Sequence, residues 1–248
     1  MRPTLAALWL CAALTEGAQA ACRQALALGV DVSGSVDARE YRLQLDGLAA
    51  ALRDAQVQRA FLAMPQAPVR LLVFEWAGET DQRRLAGWRS IDRAQDLEAV
   101  AQQLEATQSV QEDPATAIGS AMLHGAMLLD EQAECWSRTL DISGDGPANR
   151  GPHPGDLRGG AFDGITINAL VIGPGSRANT TKDLTGVLNL EAYYRAHVLR
   201  GRDAFVETAR DFEDFAQAMQ RKLLREVAAP VLSQDATADR ARAAGGGQ

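Results

Sequence analysis

Residues Ala25 to Val32 read Ala-Leu-Ala-Leu-Gly-Val-Asp-Val, a short and nearly continuous apolar run. A strand that is apolar at consecutive positions has no solvent face, so it belongs in a sheet covered on both sides. The period then changes. From Asp37 to Val57, the residues Tyr41, Leu45, Leu48, Ala49 and Leu52 fall on one helical stripe. The same alternation continues down the chain. Val69 to Trp76 is a second strand, and Arg84 to Ile91 pairs with it as an antiparallel edge. Asp92 to Thr107 and Ala117 to Gln132 are helical, Arg138 to Ile142 and Gly164 to Ile172 are strands. Ala204 to Glu207 is a short last strand, and Phe212 to Val227 a closing helix. Strand alternating with helix predicts an α/β fold: a doubly wound, mostly parallel central sheet, helices on both faces, one antiparallel edge strand.

The expected domain runs from residue 21 to 228. Aromatic residues make up only 5% of the chain, so its core must come from Leu, Val, Ile and Ala. Arg2 precedes the apolar run Leu5 to Leu14, and Ala18-Gln19-Ala20 follows as a small-x-small cleavage pattern. This three-part layout predicts a signal peptide over residues 1–20, and an exported protein that is periplasmic or secreted. The run is too short to span a bilayer, and no later apolar run is long enough, so no membrane span is expected in the mature chain. Residues 229–248 are rich in Ser, Ala, Asp and Gly, and are expected to be a disordered tail. The net charge of −7, with no basic block, excludes nucleic acid as a partner, because phosphate binding needs clustered Lys and Arg.

Export leaves two cysteines, Cys22 and Cys135, in an oxidising compartment. Cys22 lies nine residues before Asp31, and Cys135 ten before Asp145. If both precede parallel strands, both sit at the same sheet edge, where a disulfide can form. Two buried free thiols are the alternative.

Ligands bind such sheets outside the carboxyl ends of the strands. Three loops there carry oxygen side chains. The first is Asp31-Val32-Ser33-Gly34-Ser35, where three donors alternate with spacers before a helix. Hydroxyl and carboxylate oxygens suit hard cations. Ser35 or Asp37 could instead simply cap the helix. Capping does not explain Asp31, whose carboxylate at the end of an apolar strand is costly without a partner. The second loop, Asp113 to Gly119, holds Thr116, with an N-cap as its simplest role. The third is Ser143-Gly144-Asp145-Gly146-Pro147, otherwise a plain turn.

Asp-x-Ser-x-Ser, a later Thr before a helix, and Asp-Gly after the following strand together resemble the von Willebrand factor A domain, whose metal-ion-dependent adhesion site has this layout. Asp31 to Asp37 with Asp141 to Pro147 is similar, more narrowly, to a bacterial family of exported A-domain-like proteins of unknown function. The resemblance implies that Ser33, Ser35 and Thr116 are hydroxyl ligands, and that Asp31 and Asp145 bind the metal directly or through water. It favours Asp145 over Asp141 as the third-loop ligand, because family members carry that ligand just before a Gly. Asp141 then needs a partner, such as Arg138 or a backbone amide. The implied cofactor is a divalent metal: Mg²⁺ first, with Mn²⁺ or Ca²⁺ as alternatives. The implied role is non-enzymatic, holding a carboxylate of a protein or cell-envelope partner. The resemblance also sets the first strand beside the one leading to the third loop, which brings Cys22 and Cys135 together.

A divalent-metal hydrolase using the same loops, or a metal-free structural domain, is the competing expectation. The sequence has no Gly-x-Ser-x-Gly elbow, and His124, His153 and His197 are scattered. His153, in the Gly- and Pro-rich loop from Asn149 to Phe162, is the only one expected near the site. That loop reads as a surface that shapes partner choice, and Arg200-Gly201-Arg202-Asp203 as a solvated charged turn.

Overall fold

A computed structural model describes residues 22–109, 113–174 and 181–228. The expected signal peptide and tail lie outside these residues. The strands are β1 (Gln24–Asp31), β2 (Val69–Trp76), β3 (Gln82–Ile91), β4 (Arg138–Gly144), β5 (Ile165–Ile172) and β6 (Val206–Ala209). The helices are α1 (Ala38–Arg53), α2 (Ala55–Phe61), α3 (Ala94–Ala106), α4 (Ile118–Asp130), α5 (Thr181–His197) and α6 (Phe215–Glu226). One sheet carries all six strands in the order β3-β2-β1-β4-β5-β6. Only the β2–β3 pair is antiparallel.

Each central strand feeds two cores, as an apolar run without a solvent face must. Leu26, Leu28 and Val30 of β1 join Leu45 and Leu48 of α1 and Phe215 of α6 on one face. Ala25 and Ala27 point the other way, toward Met122 and Leu129 of α4 and Tyr194 of α5. Among the described residues, no helix is long and apolar enough to cross a membrane.

One helical expectation is corrected, and one helix is added. The stretch from Asp37 to Val57 is not one helix: it breaks at Asp54, whose carboxylate accepts from Gln56 N and Val57 N at 2.8 and 3.1 Å. That N-cap starts α2 and ends the continuous stripe. Helix α5 was not anticipated. Its apolar side chains do not share one face: Leu188 is exposed, whereas Leu190 and Tyr194 pack into the core.

The strand order places the site. Successive strands step one way from β1 to β2 and β3, and the chain then returns to β4 on the other side of β1. Strand order therefore reverses between β1 and β4, and a crevice opens at their carboxyl ends. Asp31 ends β1 and Gly144 ends β4. At the opposite edge Cys22 and Cys135 form a disulfide, with Cα atoms 4.6 Å apart. The backbone there is joined as well, Trp136 N donating to the Cys22 carbonyl at 2.9 Å.

Candidate metal centre

The first loop is free to face the crevice because the helix behind it is capped by another residue. Asp37 accepts from Arg39 N and Glu40 N at 2.8 Å, and the Glu40 carboxylate accepts from Asp37 N at 3.0 Å. This capping box satisfies the start of α1 without Ser35. The Ser35 hydroxyl instead donates to Asp145 Oδ1 at 2.6 Å, and lies 3.3 Å from Ser33 Oγ. Asp31 and Ser33 are fully buried. Asp31 Oδ1 accepts from Ser33 N at 2.8 Å, whereas its Oδ2 is buried with no hydrogen-bond partner. Gln44 of α1 steadies the turn by donating to the Asp31 carbonyl at 3.0 Å.

The second loop touches the first through a glycine. Gly34 N donates to the Pro114 carbonyl at 2.9 Å. A Cβ at Gly34 would lie 2.6 Å from Pro114 Cβ, so any other residue would push the loops apart. Thr116 does not cap α4. The N-cap is Ala117, and no side chain bonds to it. Thr116 is tied to the chain after the third loop: its N–H donates to Asn149 Oδ1 at 2.9 Å, and Asn149 Nδ2 donates to its hydroxyl at 3.5 Å.

The third loop reaches the other two past Gly144. A Cβ there would fall 2.3 Å from Tyr194 Oη and 3.0 Å from Asp31 Oδ2. Tyr194, fully buried, donates its hydroxyl to the Gly146 carbonyl at 3.3 Å. Sequence reasoning missed both Tyr194 and Asn149. Tyr194 sits on the unanticipated α5, and Asn149 looked like an ordinary loop residue.

The site is short of positive charge. Burial raises the Asp31 pKa to about 7; Asp145 raises it further, and hydrogen bonds from Ser33 oppose both. Burial also raises Asp145, against its bond from Ser35. Burial, then Asp31 and Asp145, raise the Tyr194 hydroxyl. Two carboxylates that repel each other beside an unpaired buried oxygen are an arrangement that a cation would relieve. Among the described residues no group of three or more His, Cys, Asp or Glu could hold a metal ion. A cation here would meet serine and threonine hydroxyls alongside the two carboxylates, a hard-oxygen set that fits Mg²⁺, Mn²⁺ or Ca²⁺.

Asp141 lies elsewhere. Lys222 Nζ of α6 is 3.0 Å from its Oδ1, and Lys222 also donates to Glu226 at 2.6 Å. Asn168 of β5 donates to the same Glu226 oxygen at 2.9 Å. Arg138, expected as the partner of Asp141 unless a backbone amide served, pairs instead with Asp130 at 2.6 Å and with the Asp163 carbonyl at 2.7 Å. Burial pushes Asp141 up to about 7; Lys222 pulls it down and Glu226 raises it. Burial works against the Lys222 ammonium, but Asp141 and Glu226 outweigh it and hold its pKa above the usual value. A signal was present in the sequence. Lys222 is one of only two lysines, and it falls on the buried stripe of Phe215, Met219 and Leu223.

His153, expected nearest the site, packs its ring on Tyr193 and His197, with centroids 5.9 and 4.9 Å away. Its Nδ1 accepts from Gly155 N at 3.1 Å.

The sheet order and its switch point are those of a von Willebrand factor A-like fold. Over residues 21–231 the sequence matches the family described as "Protein of unknown function (DUF1194)", and the chain belongs to that family. No curated protein matches it. Solved structures share the fold at low identity. Proximal thread matrix protein 1 from the mussel byssus, with a zinc-occupied MIDAS motif, is 14% identical with a TM-score of 0.52, over 84% of this chain and 46% of that one. A von Willebrand factor type A protein from Catenulispora acidiphila is 17% identical with a TM-score of 0.52, over 83% and 43%. The pilus adhesin SpaC from Lactobacillus rhamnosus GG is 12% identical with a TM-score of 0.58, over 84% and 31%. The chain thus spans less than half the length of each.

Proposed function

We propose that this protein is an exported binding module. Asp31, Ser33, Ser35, Thr116 and Asp145 would hold a divalent cation, Mg²⁺ in the first place and Mn²⁺ or Ca²⁺ otherwise, that receives a carboxylate from a protein or cell-envelope partner. The observation that carries this reading is the unpartnered, buried Asp31 Oδ2 beside a Ser35–Asp145 hydrogen bond at the sheet's switch point. Few direct carboxylates would leave the bound cation electrophilic enough to accept an acidic group. The chain's own residues set the geometry: Asp37 frees Ser35 by capping α1, Gly34 lets the second loop close on the first, and Gly144 admits Tyr194 beneath Asp31. The zinc-occupied motif of the mussel protein supports a cation at loops of this kind. In the same reading, residues 1–20 are a signal peptide, 21–228 the binding domain and 229–248 a disordered tail. The basic residue of a hydrolytic alternative, His153, is engaged with Tyr193, His197 and Gly155.

Capture of a partner from envelope and secreted fractions tests the function. Immobilised protein should retain a partner in Mg²⁺ and release it in EDTA, and Asp145→Ala should retain none. Equal retention in EDTA would contradict the proposal.

A further inference from the structure

At the sheet edge opposite the metal loops, where β5 begins at Ile165, the segments 157–159, 162–166 and 200–202 enclose an open cavity of about 610 Å³. Arg158, Arg200 and Arg202 line it, with Asp163 as the one carboxylate and Phe162 as an aromatic wall. Three arginines against a single acid in one lining is unusual placement in a chain of net charge −7. The turn at Arg200 is fixed in place. Ile167 N donates to the Arg200 carbonyl at 2.8 Å, and Arg200 N returns a bond to Ile167 at 3.2 Å. The Arg200 guanidinium is held by neutral groups: the carbonyls of His197, Leu199 and Pro154, at 2.9, 2.8 and 2.7 Å. Burial and then the neighbouring Arg158 both lower its pKa, so the charge acting on it is another cation. Gly201, with φ +97°, brings the turn against β5; a Cβ there would be 3.0 Å from Thr166 Oγ1.

We propose that this cavity binds a small molecule bearing a phosphate monoester, with Arg158 and Arg202 gripping the phosphate and Arg200 as the fixed cationic floor. Two guanidiniums match a phosphate dianion better than they match a singly charged carboxylate, and their planar forks suit phosphate oxygens. The volume exceeds what phosphate alone needs and falls in the range of small-molecule sites. Phe162 offers the remainder of the ester an apolar face. The site is independent of the metal centre, at the other end of the strands.

Titration calorimetry in EDTA, which silences the metal loops, tests this with inorganic phosphate and glucose 6-phosphate against sodium chloride of equal ionic strength. Saturable binding of both is expected, with the ester tighter. Arg158 and Arg202 are exposed, so Arg158→Ala and Arg202→Ala should fold normally. Each should weaken binding by about tenfold or more, the effect of losing a charge-assisted hydrogen bond. Heat no larger than that of chloride, or undiminished binding by the double variant, would overturn the site. Phosphate binding without a gain from the ester would overturn its assignment to an ester.

Discussion

Ser35 Oγ donates to Asp145 Oδ1 at 2.6 Å, joining residues 110 positions apart. The contact exists because β1 and β4 are neighbours in register, with Leu28 opposite Asp141 and Gly29 opposite Ile142. Loops that leave two adjacent strands at the same edge must meet. Asp141, four residues earlier, stays within the strand and meets Lys222 instead.

That separation predicts different fates for two aspartates. Asp145→Asn should abolish stabilisation by divalent cations, worth about 2.7 kcal/mol at a hundredfold excess over Kd. Asp141→Asn should change stability yet keep the full response to metal. Unfolding midpoints with and without Mg²⁺ separate the two, and a lost response in Asp141→Asn would move the third-loop ligand to that residue.

Lys222→Met should cost about 3 to 5 kcal/mol, because it leaves Asp141 and Glu226 buried without their cation. Urea unfolding measures the loss. A cost below 1 kcal/mol, of the size expected for an exposed pair, would show that the carboxylates find another partner.

Asp141 also predicts a pH dependence. Its folded pKa of about 7 lies above the usual aspartate value of 3.8. The folded state therefore binds the proton more tightly, and the group stabilises the fold fully only below its unfolded pKa. This contribution is lost as pH rises from about 4 through 7. Wild type should lose more stability across that window than Asp141→Asn, read from urea midpoints at several pH values. Parallel profiles would contradict the shift.

The disulfide closes a loop between positions 113 residues apart. Its reduction should lower stability by about 4 to 5 kcal/mol on the loop-entropy relation, or about 10 °C in Tm. Calorimetry with and without reductant measures it. An unchanged Tm would show that the backbone bonds around Cys22 and Trp136 alone hold that edge.

Gly144→Ala should be more disruptive than a usual Gly-to-Ala change, at about 1 to 3 kcal/mol, since the new methyl meets Tyr194 Oη and Asp31 Oδ2. Adding Tyr194→Phe removes the closest atom and should restore part of the loss in a urea-unfolding comparison. No recovery would place the strain elsewhere.

The sequence made the sheet legible because its central strands carry no solvent face. The start of the strand from Val69 to Trp76 is legible to the residue, since Pro68 flanks it. The candidate site was legible because a carboxylate at Asp31, in an apolar strand, is costly without a partner. The rest depended on tertiary packing. Asp54 interrupts a stripe that looks continuous, and only its bonds to Gln56 and Val57 reveal the break. Helix α5 carries an apolar residue, Leu188, on its exposed side, which blurs the stripe to which buried Tyr194 belongs. Lys222 and Asp141 are 81 positions apart in the chain, and nothing local to Asp141 names its partner.

Thermal unfolding of the purified protein in EDTA, then in Mg²⁺, Mn²⁺ and Ca²⁺, tests the metal centre most directly, with Asp31→Ala and Ser33→Ala measured alongside. The assignment predicts a rise of about 5 to 10 °C in Tm at a hundredfold excess of the preferred cation over Kd, absent in both variants. An identical Tm in EDTA and in every cation, or an equal rise in the folded variants, would contradict it.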